Sequence, residues 1–251
     1  GTDSFGVVVN TTATGLPRII LNEAVNINGT GNIGTVLQKD FDWSQSVFKY
    51  KLDGINGIGL YAKYNTPGAQ RQISNYDFST GANSKGSILA RIDNGNFLFD
   101  NTGNISMNGT DNFGFIANGA SAVVDINKDI SSAGNGNVVL YAKDGGQMKY
   151  AGTIETNGDK SHGIVIDTTA STLSNYSGGA VTVKTSGNES IALYNKGTVN
   201  LLNGGTYTAT GDKSNIIYNT GGTTNIKGAN TYEIGTNGVG FYVNGGKLTL
   251  D

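Results

Sequence analysis

The sequence predicts an all-β protein, folded as a right-handed parallel β-helix of about ten coils with three short strands in each coil. Two observations carry this prediction: a motif that returns about every 25 residues, and a composition rich in turn residues. Gly accounts for 39 of the 251 residues, whereas Pro occurs twice and charged residues make up 14%. A hydrophobic share of 37% supports a packed core and argues against a disordered chain.

Each copy of the motif forms the first strand of a coil. The clearest copies contain a tyrosine, and we use the position of this tyrosine as the anchor. Successive anchors are separated by one repeat, whose length varies somewhat along the chain. The residue before each anchor is apolar, which predicts an interior column, and the anchor itself is expected to face outward. The ten anchors are assigned to Val8, Leu37, Tyr61, Leu89, Ile116, Tyr141, Ile166, Tyr194, Tyr218 and Tyr242.

Small or amide-bearing residues follow most anchors, which suits a sharp inward corner. Asn195 and Asn219 are predicted to hydrogen-bond from coil to coil as an amide ladder, with Asp167 accepting from Asn195.

A second and a third strand complete each coil. Segments 198–201 and 223–226 alternate apolar and polar residues after the corner, and segments 103–109 and 152–158 do so again before the next anchor. Parallel crossovers are almost always right-handed, which sets the expected hand of the coil. A β-propeller needs longer repeats, a leucine-rich repeat needs a Leu consensus, and an antiparallel sandwich does not explain the period.

Charge and composition exclude several classes of function. A net charge of −2 with 17 scattered basic residues provides no basic face, so no nucleic-acid partner is expected. No cysteine, calcium-binding repeat or EF-hand loop is present, so neither a metal nor another cofactor is predicted.

The chain is expected to be one β-helix segment, 1–251, taken from a longer secreted protein. It contains neither a signal peptide nor an apolar run of about 18 residues. The terminal coils are expected to expose open β-edges.

Three rungs, at 158–166, 187–194 and 211–218, resemble those in passenger domains of type V autotransporters, in particular the large Gly/Asn-rich fusobacterial adhesins. The resemblance covers most of the chain and is loose in 38–85. It implies a bacterial outer-membrane, cell-surface location, with membrane contact only through a C-terminal translocator barrel absent from this chain. It also implies adhesion to a receptor, either protein or glycan, on host cells or bacteria.

Residues 38–85 form the least regular stretch and include the segment 66–71 and the only Trp. Binding residues in rod proteins tend to lie on loops that leave the scaffold, and Trp, Tyr and Arg dominate binding hot spots. The alternative is an over-long rung whose aromatic residues fold back onto the solenoid. The predicted recognition patch consists of Trp43, Phe48, Tyr50, Arg71 and Tyr76.

A second candidate surface is the outward column of Tyr141, Tyr194, Tyr218 and Tyr242. An exposed aromatic stripe several rungs tall is typical of a docking surface for a sugar or a protein. The alternative is a structural stack, in which each aromatic pair stabilises neighbouring coils by about 0.5 to 1.5 kcal/mol.

No catalytic residue is predicted, and the chain is not expected to be an enzyme. Ser161 precedes the only histidine, His162, but other rungs place serine in the same slot without one. The nearest acid pairs are Asp40 with Asp42 and Asp125 with Asp129. An adhesin segment is therefore preferred over a spacer stalk without its own ligand, and over a polysaccharide-cleaving β-helix enzyme.

Overall fold

The computed structural model describes residues 2–10, 16–63, 70–100 and 102–251, and shows a parallel β-helix, as predicted. Every strand pairing among these residues is parallel, and most strands pair with strands about one coil away in the sequence. The one helix in the described part is a short 3-10 turn at Trp43–Gln45. No helix there is long and apolar enough to cross a bilayer.

Three sheets wind around one axis, and each coil contributes one strand to most of them. Sheet 1 consists of β1 (Phe5–Val9), β3 (Ile33–Leu37), β5 (Ile58–Lys63), the first part of β8 (Ile88–Phe99), β10 (Phe113–Asn118), β13 (Val138–Lys143), β15 (His162–Ile166), β18 (Ile191–Asn195), β21 (Asn215–Asn219) and β24 (Val239–Val243).

Sheet 2 follows sheet 1 in each coil. It consists of β6 (Arg71–Ile73), the second part of β8, β11 (Ala122–Asn127), the first part of β14 (Gln147–Thr156), β16 (Thr172–Asn175), β19 (Thr198–Leu201), β22 (Thr223–Ile226) and β25 (Lys247–Leu250).

Sheet 3 closes the coil before the chain returns to sheet 1. It consists of β2 (Val25–Ile27), β4 (Val47–Leu52), β7 (Asn75–Thr80), β9 (Asn104–Met107), β12 (Ile130–Ser132), the second part of β14, β17 (Val181–Thr185), β20 (Gly205–Ala209) and β23 (Asn230–Ile234).

The ten strands of sheet 1 correspond to nine complete turns, close to the predicted number of coils. At about 4.8 Å between neighbouring strands, the solenoid is about 45 Å long. The hand of the coil stays a prediction.

The register of sheet 1 confirms seven of the ten anchors and corrects three. Tyr194, Tyr218 and Tyr242 are direct partners in adjacent strands, as expected. The assignments of Leu37, Leu89 and Ile166 were wrong, because all three point into the core and are fully buried. The residues that align with the other anchors are Val36, Arg91 and Val165. Two of the three errors are shifts of one residue, which exchange the inner and outer faces of a strand.

The strands of sheet 1 do not alternate strictly between inside and outside. In β13, Val139 and Leu140 both belong to the interior core, whereas Val138 and Tyr141 do not. Several coils have glycine at the position of Val139, where the backbone approaches the next coil closely: a Cβ on Gly34 would lie 2.6 Å from the Gly59 carbonyl oxygen. The strand therefore bends, and residues three apart share its outer face.

Polar side chains form two ladders inside the solenoid. The Asn195 amide donates to Asn219 Oδ1 at 3.1 Å, which confirms the predicted amide ladder. A second ladder lies at the corner before sheet 1, where the Ser161 backbone N–H donates to Ser190 Oγ and the Ser190 N–H to Ser214 Oγ. Each buried donor thus finds its acceptor one coil away.

The predicted bond between Asp167 and Asn195 was wrong. Asp167 lies outside the solenoid and accepts from Tyr141 at 2.6 Å and from Lys196 at 3.0 Å. This error has the same cause as that of Ile166, since the rung was aligned one residue too late.

Candidate functional site

The outer surfaces of the three sheets differ in chemistry. Sheet 2 exposes polar side chains such as Lys149, Ser174 and Asn225, and sheet 3 exposes charged ones such as Glu155 and Lys184. Sheet 1 is different because most of its outward side chains are aliphatic or aromatic. A long apolar strip on one side of an otherwise polar rod indicates a surface that contacts another molecule.

This strip, which we call the docking face, consists of the anchor column and the column three residues earlier. None of its members belongs to the connected interior core cluster, although Val36, Ile116, Val138 and Val165 are each less than a tenth exposed. Arg91, His162 and Asn215 interrupt it. Its apolar members in the central coils are Ile33, Val36, Ile58, Tyr61, Ile88, Phe113, Ile116, Val138, Tyr141, Val165, Ile191, Tyr194, Tyr218 and Tyr242.

Four tyrosines of the docking face were predicted as binding residues, and the structure places all four on its surface. Tyr218 stacks on Tyr194 with ring centroids 5.7 Å apart and an angle of 12° between the ring planes. It also stacks on Tyr242, at 4.4 Å and 19°. Tyr141 instead contacts the Phe113 ring at 5.5 Å. Both faces of the Tyr218 ring are therefore covered by other rings, so this tyrosine presents only its edge and hydroxyl to a partner.

A charged column borders the docking face where sheet 1 turns into sheet 2. Asp93 accepts from Arg91 at 2.7 Å and from Tyr61 at 2.8 Å, and Asp167 accepts from Tyr141 and Lys196. Partial burial acts to raise the pKa of both carboxyl groups, but these hydrogen bonds outweigh it and the pKa of each lies below its usual value. The border thus stays ionised and fixes the tyrosine hydroxyls.

The predicted recognition patch was wrong, because the structure places most of its residues in the core. Phe48 and Tyr50 are 0% and 1% exposed, and Tyr76 is 4% exposed. Arg71 is also buried and pairs with Asp40 at 3.0 Å. Trp43 is partly buried and packs against the core.

The physical reason is the alternation of sheet 3. Tyr50 and Tyr76 lie on strands β4 and β7 at inward positions, where they pack against the Phe78 ring at 5.7 and 5.3 Å. Burial raises the pKa of both phenols well above its usual value. The aromatic residues thus fold back onto the solenoid, the alternative considered above. Residues 66–69 of this candidate loop lie outside the described part.

Ser161 is fully buried and its hydroxyl donates to the Gly134 carbonyl at 3.0 Å. It is a member of the corner ladder, as Ser190 and Ser214 are. His162 lies on the docking face, and burial lowers its pKa below the usual value.

The acids that the sequence brings close together have separate partners. Asp40 pairs with Arg71, whereas Asp42 lies 3.7 Å from Arg18. Asp125 is 3.6 Å from Lys149, and Asp129 accepts from the Thr153 backbone N–H. No cluster of three or more His, Asp or Glu side chains suited to a metal occurs in the ranges that the structure describes.

Sequence reasoning missed the second column of the docking face, which includes Ile58, Ile88, Phe113 and Ile191. The strict alternation rule assigns residues three apart to opposite faces of a strand, so this column was not expected to face outward. A signal was present: an apolar residue followed by glycine begins several first strands, as in Ile58-Gly59 and Phe113-Gly114.

Comparisons with protein-family models, with curated proteins and with solved structures found no match for this chain.

Proposed function

We propose that this chain is a segment of a bacterial surface adhesin of the autotransporter passenger kind, and that its docking face binds a receptor on host cells or on other bacteria. The observation that carries the proposal is the contrast between the apolar docking face and the polar outer faces of sheets 2 and 3. A rod that served only as a spacer has no need of an apolar strip on one side.

The shape of the docking face favours a protein receptor. It is about as long as the solenoid and nearly flat, because its side chains belong to one parallel sheet. Apolar side chains in the middle with a charged border resemble the arrangement of protein interfaces, which have an apolar centre and a polar rim. Stacked rings at Tyr194 and Tyr218 leave little free ring surface for a sugar.

The resemblance of the rungs to autotransporter passengers supports the cell-surface location. Within the proposal, the solenoid holds the docking face away from the membrane, and a translocator elsewhere in the protein exports and anchors it. The chain itself is proposed to be non-enzymatic.

The proposal is tested by a cell-binding assay with a docking-face variant. Phe113→Thr/Ile191→Thr replaces two partly exposed apolar side chains by polar residues that suit a strand. We expect binding to host or bacterial cells to fall at least fivefold, because interface energy concentrates in buried apolar anchors.

The matched control is Ser174→Ala/Thr198→Ala on the outer face of sheet 2, where both side chains are also partly exposed. Circular dichroism and thermal unfolding establish that both variants keep the fold. Equal binding by the native chain and the docking-face variant would contradict the proposal and favour a spacer stalk.

A further inference from the structure

A cavity of about 410 Å³ lies at the corner between sheets 1 and 2, near the N-terminal end of the docking face. Every described side chain that lines it ends in a charged or an amide group. Small-molecule pockets usually measure about 300 to 1,000 Å³, so the volume suits one or two sugar rings. The lining residues are Gln38, Lys39, Lys63, Asp93 and Asn94.

An irregularity of the solenoid opens this corner. The pairing of β5 with β8 contains a register shift, where Ala62 pairs with Ile92 but Lys63 pairs with Asn94. Asp93 is the extra residue, and among the described pairings no other shift of this kind occurs. Bulges of this type often re-aim side chains next to functional sites.

The preceding coil, which contains Gln38 and Lys39, also contributes to this cavity. After Gln38 and Lys39 the chain does not form a strand of sheet 2, and the 3-10 turn at Trp43–Gln45 takes that place. The cavity therefore lies where two neighbouring coils both depart from the regular path.

The charges around the cavity are unbalanced. Asp93 is already engaged by Arg91, Tyr61 and Asn118. Among the residues that the structure describes, neither Lys39 nor Lys63 forms an ion pair. Two lysines that form no ion pair with any described residue thus line one recess, although the whole chain has a net charge of −2.

We propose that this cavity binds an acidic saccharide, with its carboxylate or sulfate between the Lys39 and Lys63 ammonium groups and its hydroxyls on the Gln38 and Asn94 amides. A sugar needs both donors and acceptors at short spacing, and the lining provides both. An acidic peptide would add apolar side chains, whereas the described side chains that line this recess all end in polar groups. The proposal does not depend on docking by the outer face of sheet 1.

The test is titration calorimetry of the native chain with defined probes at low salt. The probes are 3′-sialyllactose, 6′-sulfated lactose and neutral lactose, so that the first two separate a carboxylate from a sulfate. We expect at least one acidic probe to bind at least tenfold more tightly than lactose, and the affinity to weaken as salt screens the ammonium groups.

The variant Lys39→Gln/Lys63→Gln should bind the acidic probe about tenfold more weakly. The matched control, Lys51→Gln/Lys247→Gln, removes two exposed lysines from sheets 3 and 2 and should bind as the native chain does. Neither pair is expected to affect the fold, which thermal unfolding checks.

Three results would overturn the proposal: equal binding of lactose and the acidic probes, unchanged binding by the Lys39→Gln/Lys63→Gln variant, or no binding of any probe. Equal affinity for a Glu-rich hexapeptide would transfer the site from saccharides to acidic peptides. If the cavity binds no acidic saccharide, the proposal that the docking face binds cells is unaffected. Conversely, the Phe113→Thr/Ile191→Thr variant should keep its affinity for the acidic saccharide even if it loses cell binding.

Discussion

The interior of the solenoid is filled in two different ways along its length. In the aromatic region, residues 47–115, the rings of Tyr50, Tyr76, Phe78, Phe99 and Phe115 contact one another in a single cluster. In the ladder region, residues 190–224, the core side chains are mostly aliphatic, and buried amides at the corner after sheet 1 bond from coil to coil.

Coil length follows this difference. In the ladder region the step from Tyr194 to Tyr218 equals the step from Tyr218 to Tyr242. In the aromatic region the step from Tyr61 to its partner Arg91 is clearly longer. Apolar packing tolerates chain excursions at the corners, whereas the Asn195–Asn219 amide bond joins coils of equal length. The cavity lined by Lys39 and Lys63 accordingly borders the aromatic region rather than the ladder region.

The largest expected effect comes from Phe78→Ala in the aromatic region. Phe78 is fully buried and contacts four other rings. The substitution leaves a void in the core, which should lower the free energy of unfolding by about 3 to 5 kcal/mol. Urea unfolding is followed by the fluorescence of Trp43, the only Trp, which packs against the core beside this region.

The control is Tyr218→Ala, which removes a ring of the same class from the outer stack of the ladder region. Its loss of stability should be less than half that of Phe78→Ala, since two stacking contacts disappear but no interior cavity forms. Similar losses for both variants would show that the rings of the aromatic region do not form a packed interior.

A smaller effect is expected for Asn195→Ala in the ladder region. The Asn195 side chain donates to Asn219 and Thr224 and accepts from the Gly197 backbone N–H. In the variant the buried Gly197 N–H loses its acceptor, whereas Thr224 and Asn219 keep the hydrogen bond between them. We expect a loss of about 2 kcal/mol in thermal or urea unfolding followed by circular dichroism.

Asn225→Ala is the matched substitution. Asn225 donates to Asn200 on the outer face of sheet 2, where water replaces the lost bond, so a loss below about 1 kcal/mol is expected. An equal loss of stability for Asn225→Ala and Asn195→Ala would contradict the view that the amide ladder stabilises the fold because it is buried.

The smallest effect is a gain in stability from Asp125→Asn. Burial raises the pKa of Asp125, and nearby Lys149 and Gln70 only partly oppose this. At pH 7 the folded state therefore holds a carboxylate that folding disfavours, and the amide should raise the free energy of unfolding by about 1 kcal/mol or less.

The pH dependence follows from the sign of that shift. As pH falls through the raised folded pKa toward the unfolded value of about 4, the native Asp125 takes up a proton and its penalty disappears. The advantage of Asp125→Asn should thus shrink between pH 7 and pH 4, as measured by melting temperature. A constant advantage over this range would contradict the assignment.

Much of the fold could be predicted because the repeat directly encodes stacking. Tyr194, Tyr218 and Tyr242 recur at equal steps, and equal steps in a parallel solenoid place like residues side by side. The anchor predicted from the sequence is wrong in the coil of Arg91, because there a charged residue occupies an otherwise apolar column. It is also wrong in the coils of Val36 and Val165, where two apolar neighbours compete for the anchor position.

The candidate sites were harder to predict, because they depend on which way each side chain points. Tyr50 and Tyr76 have the residue type of a hot spot, but their strands turn them inward. Conversely, Ile58 and Phe113 look like core residues in a strictly alternating strand, but the bend at the following glycine turns them outward. Lys39 and Lys63 are separated by a whole coil, and only stacking brings them to one cavity.

The register of sheet 1 determines which residues form the docking face, and cysteine pairs test it directly because the chain has no native cysteine. Val165→Cys/Tyr194→Cys places two outward side chains on partner residues of adjacent strands, at a spacing that suits a disulfide. Under mild oxidation this pair should cross-link rapidly. Ile166→Cys/Tyr194→Cys should not, because residue 166 points into the core. Rapid cross-linking of the second pair instead of the first would contradict the register and the docking face built on it.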